Sequence, residues 1–593
     1  MTAARWDPRG TSLLLMAAAC LLPFLQPRHF PPLRTFYDEW IALALGVGAI
    51  GFAAASRNLG TRVPVVALWL GAFALFLTVR ALVPQLTYPQ GALLWATYSL
   101  YAALLVTLAY CLVENFGREH VCEMLAVFLL AGAILNAIAG VLQVVGIPKP
   151  IDAYVSYLHG TRAIGNVGQS NLYANYLALG EASLVYLYSR GRVRMGVALA
   201  AGVLMLTGAA LAAARTSTLY SIVFAILGLL ALRARGEASN RRLGYAAIAL
   251  AFAGVILQWL VPIWVNALGF RIEGGFDRNV SEDWDYGLDE STSMRLLAWQ
   301  LAVQIFSAAP WLGVGPGEFA GAAFSYGLSP QFAAREIMTS PHNLVLQLLS
   351  ETGLVGTALV AAGIISWALR IAPAFMRAPS GPLWWVVACA SVQIIHALLE
   401  YPFWYAHFLA LAALVMGAGT VAPVAVRPRA LRNVFVASAV GGAVLLGVHL
   451  RDYFRFELAS PVYAGRSLQT DADLQRDLET LAGLRGGLFA PRAELWLFLA
   501  LPYEGSKSEE KIEIGNRVMR TWPIRDVVIR QCIFLALAGR DAEATALFRK
   551  ALQTFAYRHK AVQITVAAAP DKARRVLEPE MQSLAAKPAA ATR

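Results

Sequence analysis

Residues 339–353 read TSPHNLVLQLLSETG and stand between a long polar segment and a long apolar one. Ser340 is a favourable N-cap and Pro341 suits a first helical position, so this stretch predicts a helix with His342 in its first turn. The N–H groups and partial positive charge of a helix N-terminus favour phosphate and disfavour protonation of a nearby imidazole. The stretch therefore predicts a neutral histidine beside an anion site, although a histidine that only caps or packs there fits the same pattern.

The composition is that of a polytopic membrane protein. Of 593 residues, 58% are hydrophobic and 15% charged, whereas soluble domains have roughly 45–50% apolar and about 25% charged residues. The five cysteines show no paired spacing and no CxxC motif, which excludes a disulfide framework and a zinc or iron–sulfur site: Cys20, Cys111, Cys122, Cys389 and Cys532. The sequence has no glycine-rich phosphate loop of the Walker or dinucleotide type, which argues against an ATP-driven pump.

Apolar runs predict an all-α fold with about 13 transmembrane helices, because a helix needs roughly 17–25 apolar residues to cross a bilayer. The first run follows a basic start and is interpreted as a retained membrane helix, not a cleaved signal peptide. The predicted spans are 11–27, 39–56, 63–84, 92–113, 121–147, 171–189, 195–213, 216–233, 243–267, 354–372, 383–400, 403–424 and 433–450.

Arginine placement predicts the orientation of these spans. Every second connection carries arginine, beginning with Arg5 and Arg9, so these connections and the N-terminus are predicted to face the cytoplasm. The other connections then face the periplasm, among them 148–170 and everything after about 451. The chain is accordingly divided into N-terminal transmembrane helices (1–267), a long periplasmic loop with the histidine segment (268–342), C-terminal transmembrane helices (343–450) and a periplasmic helical domain (451–593).

The C-terminal part contains one segment that resembles a helical hairpin. Residues 533–555 read IFLALAGRDAEATALFRKALQTF, in which a Gly-Arg-Asp turn separates two apolar-periodic stretches. This is similar to one tetratricopeptide unit, but a stable solenoid needs about three such repeats and the sequence shows one. A small helical domain is therefore predicted.

Two polar motifs lie on the side that is predicted to face outward. In the first, GNVGQSN at 165–171, the amides of Asn166, Gln169 and Asn171 could bind sugar hydroxyls or diphosphate oxygens; a capped polar turn is the alternative. In the second, HALLEYPFWY at 396–405, His396 and Glu400 are four residues apart and share one helix face. A buried structural pair is favoured for these two over a catalytic role, and the aromatic residues suit an interfacial belt.

Several outward-facing arginines are candidates for phosphate binding, because a guanidinium binds phosphate bidentately and keeps its charge when desolvated. They are Arg162, Arg215, Arg271, Arg278 and Arg295. Arg215 lies between two apolar spans on the outer side, where snorkelling to lipid headgroups is the alternative; Arg295 starts a helical pattern, whereas Arg278 suits a solvated loop. Residues 283–285 have the DxD form of metal-binding transferases, but their context favours a solvated acidic flap.

Three stretches together resemble bacterial O-oligosaccharyltransferases, the PglL-type ligases of pilin and general protein O-glycosylation, within the superfamily of O-antigen ligases and Wzy-type polymerases. They are GNVGQSNLYANYLALG (165–180), SPHNLVLQLLSETGLVG (340–356) and HALLEYPFWYAHFLAL (396–411). The order of motifs, the long loop before the histidine and the C-terminal extension also match. Ser170 and Leu172 depart from the Pro and His of many relatives, which leaves the preferred glycan open.

The resemblance implies transfer of a preassembled glycan from undecaprenyl diphosphate to Ser or Thr of a periplasmic acceptor protein such as pilin, at the bacterial inner membrane. It implies His342 as the base, with Arg162, Arg215 and Arg295 on the leaving diphosphate. No cofactor, metal or nucleic acid is expected; the partners are the lipid-linked donor, the acceptor protein and membrane lipids. The expected substrate-binding residues are Gln169, Asn166, Asn171, Asn343, Tyr405, Glu400 and His396.

Two alternatives remain open from the sequence. One is the same chemistry on lipid A-core or on a growing polymer, as in O-antigen ligases and Wzy-type polymerases. The other is a transporter of polyprenyl-linked sugars, which would need ionisable residues deep in the spans; the sequence offers few.

Overall fold

The computed structural model describes residues 7–56, 60–83, 85–158, 160–233, 238–270, 290–326, 338–460, 470–504, 508–555 and 559–585. Within these ranges the chain is almost entirely α-helical, which confirms the predicted all-α polytopic class. The two strands found there, β1 (Arg62–Pro64) and β2 (Pro423–Ala425), pair antiparallel, with Val63 opposite Val424. Strands of three residues carry too little pattern to be read from the sequence.

Each predicted membrane span falls on a helix. Nine helical segments in the described ranges are long and apolar enough to cross a membrane, and three shorter apolar helices carry the predicted spans 195–213, 383–400 and 403–424. The helix of the remaining predicted span, 171–189, is in neither group. The helices are α1 (Pro8–Ala19), α2 (Phe36–Ala55), α3 (Val65–Leu82), α4 (Pro89–Phe116), α5 (Arg118–Val145), α6 (Ser170–Ser189), α7 (Met195–Leu211), α8 (Thr216–Arg233), α9 (Ala238–Ala267), α12 (Leu344–Arg377), α13 (Gly381–Ala397), α14 (Ala406–Ala418) and α15 (Pro428–Ala459).

The segment 268–342 is not a loop throughout. It contains α10 (Glu290–Ala308) and α11 (Phe319–Tyr326), and Arg295 lies in α10, as its helical pattern predicts. The loop interpretation is wrong for these stretches because both pack apolar faces inward: Leu301 and Ile305 of α10 form a buried cluster with Phe319.

The C-terminal part is helical, as predicted. The predicted hairpin is confirmed: α19 ends at Leu537 and α20 begins at Asp541, with Gly539 between them at φ +80°. The helices are α16 (Asp471–Gly483), α17 (Ala490–Ala500), α18 (Ser508–Thr521), α19 (Arg525–Leu537), α20 (Asp541–Thr554), α21 (His559–Ala567) and α22 (Asp571–Ala585).

The chain divides into two compact units, each of which is discontinuous in sequence. The first comprises 1–74, 97–285 and 359–450, and the second comprises 75–96, 286–358 and 451–593. Position 451, predicted as the start of the C-terminal domain, is where the last segment of the second unit begins. The division into four consecutive parts stays a prediction.

In the first unit, α6 is buried on all sides and packs closely on α5. An added Cβ at Gly132 or Gly140 of α5 would overlap the hydroxyl groups of Tyr176 and Tyr173, at 2.0 and 2.1 Å. Small residues of this kind let membrane helices approach closely. The Tyr176 hydroxyl also donates a 2.7 Å hydrogen bond to the carbonyl of Cys20. This packing fixes α6, whose first turn carries the Gln169–Asn171 motif.

Candidate active site

In the first unit, two amide side chains of α5 hold the segment that precedes α6. Gln143 donates to the carbonyls of Ser156 (2.8 Å) and Gly165 (2.9 Å), and its Oε1 accepts the N–H groups of Ile164 and Gly165 (3.0 Å each). All of its donor N–H bonds and two acceptor positions are therefore used. Asn136, two helical turns earlier, accepts the N–H of the next residue in the segment, Asn166. The motif is thus anchored to a buried membrane helix.

The Asn166 side chain serves this framework. Its Nδ2 donates to the carbonyls of Leu25 (3.1 Å) and Tyr154 (2.8 Å), and its Oδ1 accepts the N–H of Ser156 (2.9 Å). With 5% exposure and both ends of the amide engaged, Asn166 is suited to shaping the loop. The structure gives Asn166 a framework role, and its expected substrate contact stays a prediction.

Gln169 is the N-cap of α6. Its Oε1 accepts the N–H of Leu172 at 2.8 Å, which satisfies one of the unpaired N–H groups at the helix start. Among the described residues no partner of its Nε2 group is found, and the side chain is partly exposed. Gln169 is thereby fixed by its oxygen and retains its donor end for other contacts.

A hydrogen-bonded chain joins residues from both polar motifs with an arginine. Arg162 donates through Nη2 to Oδ1 of Asn171 at 3.0 Å, and Asn171 donates through Nδ2 to Oε1 of Glu400 at 2.7 Å. Nε of Arg162 donates to the carbonyl of Ala212 at 2.9 Å, next to the end of α7. Glu400 is only 4% exposed, so its carboxylate depends on such partners.

Arg215 lies in the turn between α7 and α8 and is exposed. The turn includes Ala213 at φ +49°, a left-handed conformation that residues with a side chain rarely adopt. The N–H of Ala163, next to Arg162, donates to the carbonyl of Leu211, the last residue of α7 (3.0 Å), and Arg162 itself donates to the carbonyl of Ala212 in the turn. The segment that carries Arg162 is therefore hydrogen-bonded to the turn that carries Arg215.

Helix α13 ends at Ala397 and Glu400 lies three residues beyond it, so the prediction that His396 and Glu400 share one helix face is wrong, and the two side chains have different neighbours. The Tyr220 hydroxyl lies 2.7 Å from Nδ1 of His396, and His396 is fully buried. The backbone N–H of Glu400 donates to the His396 carbonyl at 2.7 Å. The structural role favoured for His396 stays a prediction, whereas Glu400 bonds to Asn171, which in turn bonds to Arg162.

Glu39 was not identified in the sequence as a candidate, yet it supports Tyr405. Its Oε2 accepts the hydroxyl of Tyr98 and the N–H of Ala406 (3.2 Å), and its Oε1 accepts the hydroxyl of Thr35 (2.7 Å). Ala406 is the first residue of α14, so Glu39 caps the helix that follows Tyr405. The available signal was a carboxylate in the first turn of an apolar span, where ionisable groups are costly.

In the second unit, His342 precedes the helix and does not lie in its first turn. Helix α12 begins at Leu344, and Asn343 is its N-cap because Asn343 Oδ1 accepts the N–H of Leu346 at 3.1 Å. His342 has φ +50° and therefore left-handed backbone geometry. The prediction that Ser340 is the N-cap is wrong, since asparagine stands nearer the apolar run and caps at least as well as serine.

The peptide bond that joins Pro341 to His342 is hydrogen-bonded at both ends. Its carbonyl accepts the indole N–H of Trp299 at 2.9 Å, and its N–H donates to Oγ of Ser340 at 3.1 Å. Trp299 lies on α10, four residues after Arg295, so the two share a helix face. Helix α10 therefore both contacts the histidine segment and carries an arginine candidate.

A glycine-rich segment, 310–319, packs against the residues around the glycine that interrupts α12. Gly353 has φ +64°, and a Cβ there would lie 2.3 Å from the Trp311 backbone; one at Gly313 would lie 2.3 Å from the backbone of Glu351. The Glu351 Oε1 accepts the N–H of Phe319 at 3.1 Å. The GVGPG sequence at 313–317 was the signal for this contact, and the sequence interpretation missed it.

Some candidates cannot be placed. Arg271, Arg278 and the acidic motif at 283–285 lie outside the described residues. Among the described residues, no group of three or more His, Cys, Asp and Glu side chains is arranged to hold a metal ion. Metal independence stays a prediction.

Comparison with known proteins identifies the class. Residues 200–361 match the family model described as O-Antigen ligase, a range that includes Arg215, Arg295 and His342. Residues 384–569 match the model described as Virulence factor membrane-bound polymerase, C-terminal. These matches confirm the resemblance to the O-antigen ligase superfamily, and the protein is a polytopic membrane enzyme of the glycosyltransferase class.

The chain is also similar to a protein named General O-oligosaccharyltransferase, from Acinetobacter baylyi. The two are 25% identical over 469 residues, which cover 76% of this chain and 77% of the relative. The similarity confirms the predicted resemblance to enzymes that transfer whole oligosaccharides.

Proposed function

We propose that the protein is an O-oligosaccharyltransferase that transfers a preassembled glycan from undecaprenyl diphosphate to Ser or Thr of periplasmic proteins such as pilin. The observation that carries this proposal is the hydrogen-bonded chain Arg162–Asn171–Glu400. It orders a guanidinium, which suits a diphosphate, next to amide and carboxylate groups, which suit sugar hydroxyls. The named relative supports oligosaccharide transfer as the reaction.

The proposed reaction is a displacement at the anomeric carbon. The acceptor hydroxyl oxygen forms a bond to that carbon as the bond to the diphosphate oxygen breaks, and the electron pair leaves with undecaprenyl diphosphate. His342 accepts the hydroxyl proton, as a general base does. The leaving diphosphate gains negative charge in this step. We propose that Arg162, Arg215 and Arg295 stabilise that charge, so that no metal ion is required.

The remaining residues orient the substrates. Gln169, held by its oxygen at the start of α6, presents its amino group; Tyr405 precedes α14, where Glu39 fixes the helix start. Asn343 stabilises the helix that follows His342. We propose that Asn171 and Glu400 bind the sugar and also hold Arg162 in place. His396 would support them from its buried position.

For the acceptor, a specific alternative to the proposed protein substrate exists. The two family descriptions name an O-Antigen ligase and a membrane-bound polymerase, and neither description names a protein acceptor. Transfer to lipid A-core or to a growing polymer would use the same leaving group and base. A transporter of the same lipid-linked sugars is less well supported, because the named relative is an oligosaccharyltransferase.

We propose a location in the bacterial inner membrane, with a cytoplasmic N-terminus and a periplasmic active site and C-terminal domain. The arginine-rich connections support this orientation through the positive-inside rule. The β1–β2 pairing supports it as well, because both strands lie in connections assigned to the cytoplasm, and Val426 donates to the Thr61 carbonyl at 2.8 Å beside them.

The test is expression in a host that makes a lipid-linked glycan and lacks its own O-antigen ligase. The protein is co-expressed with a panel of pilins, intact pilin mass is measured by mass spectrometry, and lipopolysaccharide is probed in the same cells. A pilin mass shift that disappears with His342→Ala supports both the acceptor class and the base. A glycan ladder on lipid A-core with unmodified pilin would instead make the protein an O-antigen ligase.

A further inference from the structure

The serine before the histidine segment forms a second hydrogen bond that the proposed reaction does not use. Ser340 Oγ accepts the N–H of His342 at 3.1 Å and donates to Oε1 of Gln347 at 3.0 Å. Ser340 and Gln347 are 1% and 3% exposed. The bond between Ser340 and Gln347 is therefore buried, and the bond from His342 is partly buried. Hydrogen bonds are electrostatically stronger in such surroundings than in water, and breaking them costs more.

These bonds bear on a strained residue. A left-handed conformation such as that of His342 is unfavourable for a residue with a side chain and persists only where the surroundings enforce it. One end of the preceding peptide plane is fixed by Trp299, and the other end is fixed by Ser340. A serine hydroxyl rotates to suit its neighbours, so it presents a lone pair to His342 only if its proton is directed elsewhere. Oε1 of Gln347 accepts this proton and so fixes the orientation of the hydroxyl.

We propose that Gln347 is a positioning residue for His342, acting through the Ser340 hydroxyl. Gln347 lies one turn inside α12, in the part that the Asn343 cap stabilises. The orientation of His342 therefore depends on the position of this first turn of the helix. The role rests on the proposed function, in which the His342 imidazole is the base. Loss of Gln347 is expected to misplace the imidazole without removing it.

The test compares Gln347→Leu in two backgrounds, with a lipid-linked oligosaccharide donor and a pilin acceptor. In the parent protein, the substitution is expected to lower kcat about 10- to 100-fold, as small displacements of a catalytic group do, with KM for the donor unchanged. In His342→Gly, glycine adopts the left-handed conformation without strain, and added imidazole supplies the base. In that background Gln347→Leu is expected to leave the imidazole-dependent rate unchanged.

A second measurement does not depend on rescue by imidazole. Ser340→Ala and Gln347→Leu should be strongly non-additive in kcat, because each breaks the same connection, whereas Ser340→Thr keeps the hydroxyl and most of the activity. Thr352→Val is the matched control on α12: the Thr352 hydroxyl donates to the carbonyl of Leu348, and its loss should not change kcat.

The outcomes separate the two proposals. Equal losses in both backgrounds, or additive losses in the Ser340→Ala and Gln347→Leu pair, would show that Gln347 acts on the fold and would overturn the positioning role. Absence of glycan transfer by the parent protein would overturn the proposed function itself.

Discussion

Asn171 donates a 2.7 Å hydrogen bond to the buried carboxylate of Glu400 and joins the first turn of α6 to the link between α13 and α14. The same amide accepts from Arg162, so a neutral side chain connects a guanidinium with a carboxylate. An amide is suited to this position because it donates and accepts at once. Neither a leucine nor a carboxylate could take its place.

Asn171→Leu is expected to reduce glycan transfer at least 10-fold and to lower stability by about 1–3 kcal/mol, because it leaves the Glu400 carboxylate short of a buried partner. Pilin glycosylation and thermal unfolding in detergent measure the two effects. Ser189→Ala is the control on the same helix, since that hydroxyl donates to the carbonyl of Tyr186, one turn earlier in the helix. Unchanged transfer in Asn171→Leu would remove this chain from the site.

His342→Gly and His342→Ala should differ in stability although both abolish transfer. At φ +50° alanine retains the left-handed strain and glycine does not, so the glycine variant is expected to be more stable by about 1 kcal/mol. Thermal unfolding of the two variants side by side provides the measurement. Equal midpoints would show that the backbone relaxes at this position.

Gly353→Ala is expected to be strongly destabilising and to abolish transfer. The added Cβ would lie 2.3 Å from the backbone of Trp311, which cannot move aside as a flexible side chain can. Gly441→Ala is the control, because that glycine of α15 has no atom within 4 Å of a built Cβ. The comparison is made by thermal unfolding and by the yield of folded protein; similar behaviour of both variants would contradict the tight contact.

The Glu494 carboxylate on α17 makes the second unit sensitive to acid. Burial raises its pKa, but hydrogen bonds from Arg517, Tyr88 and Arg485 lower it by more than burial raises it. The pKa of Glu494 therefore lies below its ordinary value. Because its pKa is lower in the folded than in the unfolded protein, ionised Glu494 stabilises the fold at pH values above its unfolded-state pKa. This stabilisation is lost as the pH falls through the folded-state pKa.

Glu494→Gln is therefore expected to cost up to about 3 kcal/mol at neutral pH, and the cost should shrink in acid. Unfolding of both proteins is measured across pH, with Glu578→Gln on α22, an exposed position, as the control. A difference between parent and Glu494→Gln that does not change with pH would show that the charge of Glu494 is unimportant.

Chelation should not affect the reaction. If arginines stabilise the leaving diphosphate, EDTA is expected to leave pilin glycosylation unchanged, whereas substitution of Arg162 or Arg295 by Gln lowers kcat. Transfer is measured after dialysis against EDTA and again after addition of Mg²⁺ or Mn²⁺. Activity that is lost with EDTA and restored by a metal would overturn the arginine assignment.

Apolar run length predicted the spans because hydrophobic thickness constrains every membrane helix in the same way. The site was predictable where polar residues cluster, as around Asn171 and Glu400. It was missed where polar residues form no recognised motif: Gln143 lies in an apolar stretch of α5, and Glu39 follows Asp38 in the first turn of an apolar span. The position of His342 relative to α12 depended on which of two capping residues prevails.

Gln143 also bears on how such enzymes diversify. A single amide binds both ends of a stretch of chain, at Ser156 and at Ile164 with Gly165, so the residues between can lengthen or change while their endpoints stay fixed. Doubling the length of a flexible loop costs only about 0.6 kcal/mol in closure entropy. Substitution of Tyr157, an exposed residue between these endpoints, can therefore change this part of the surface without breaking the bonds of Gln143.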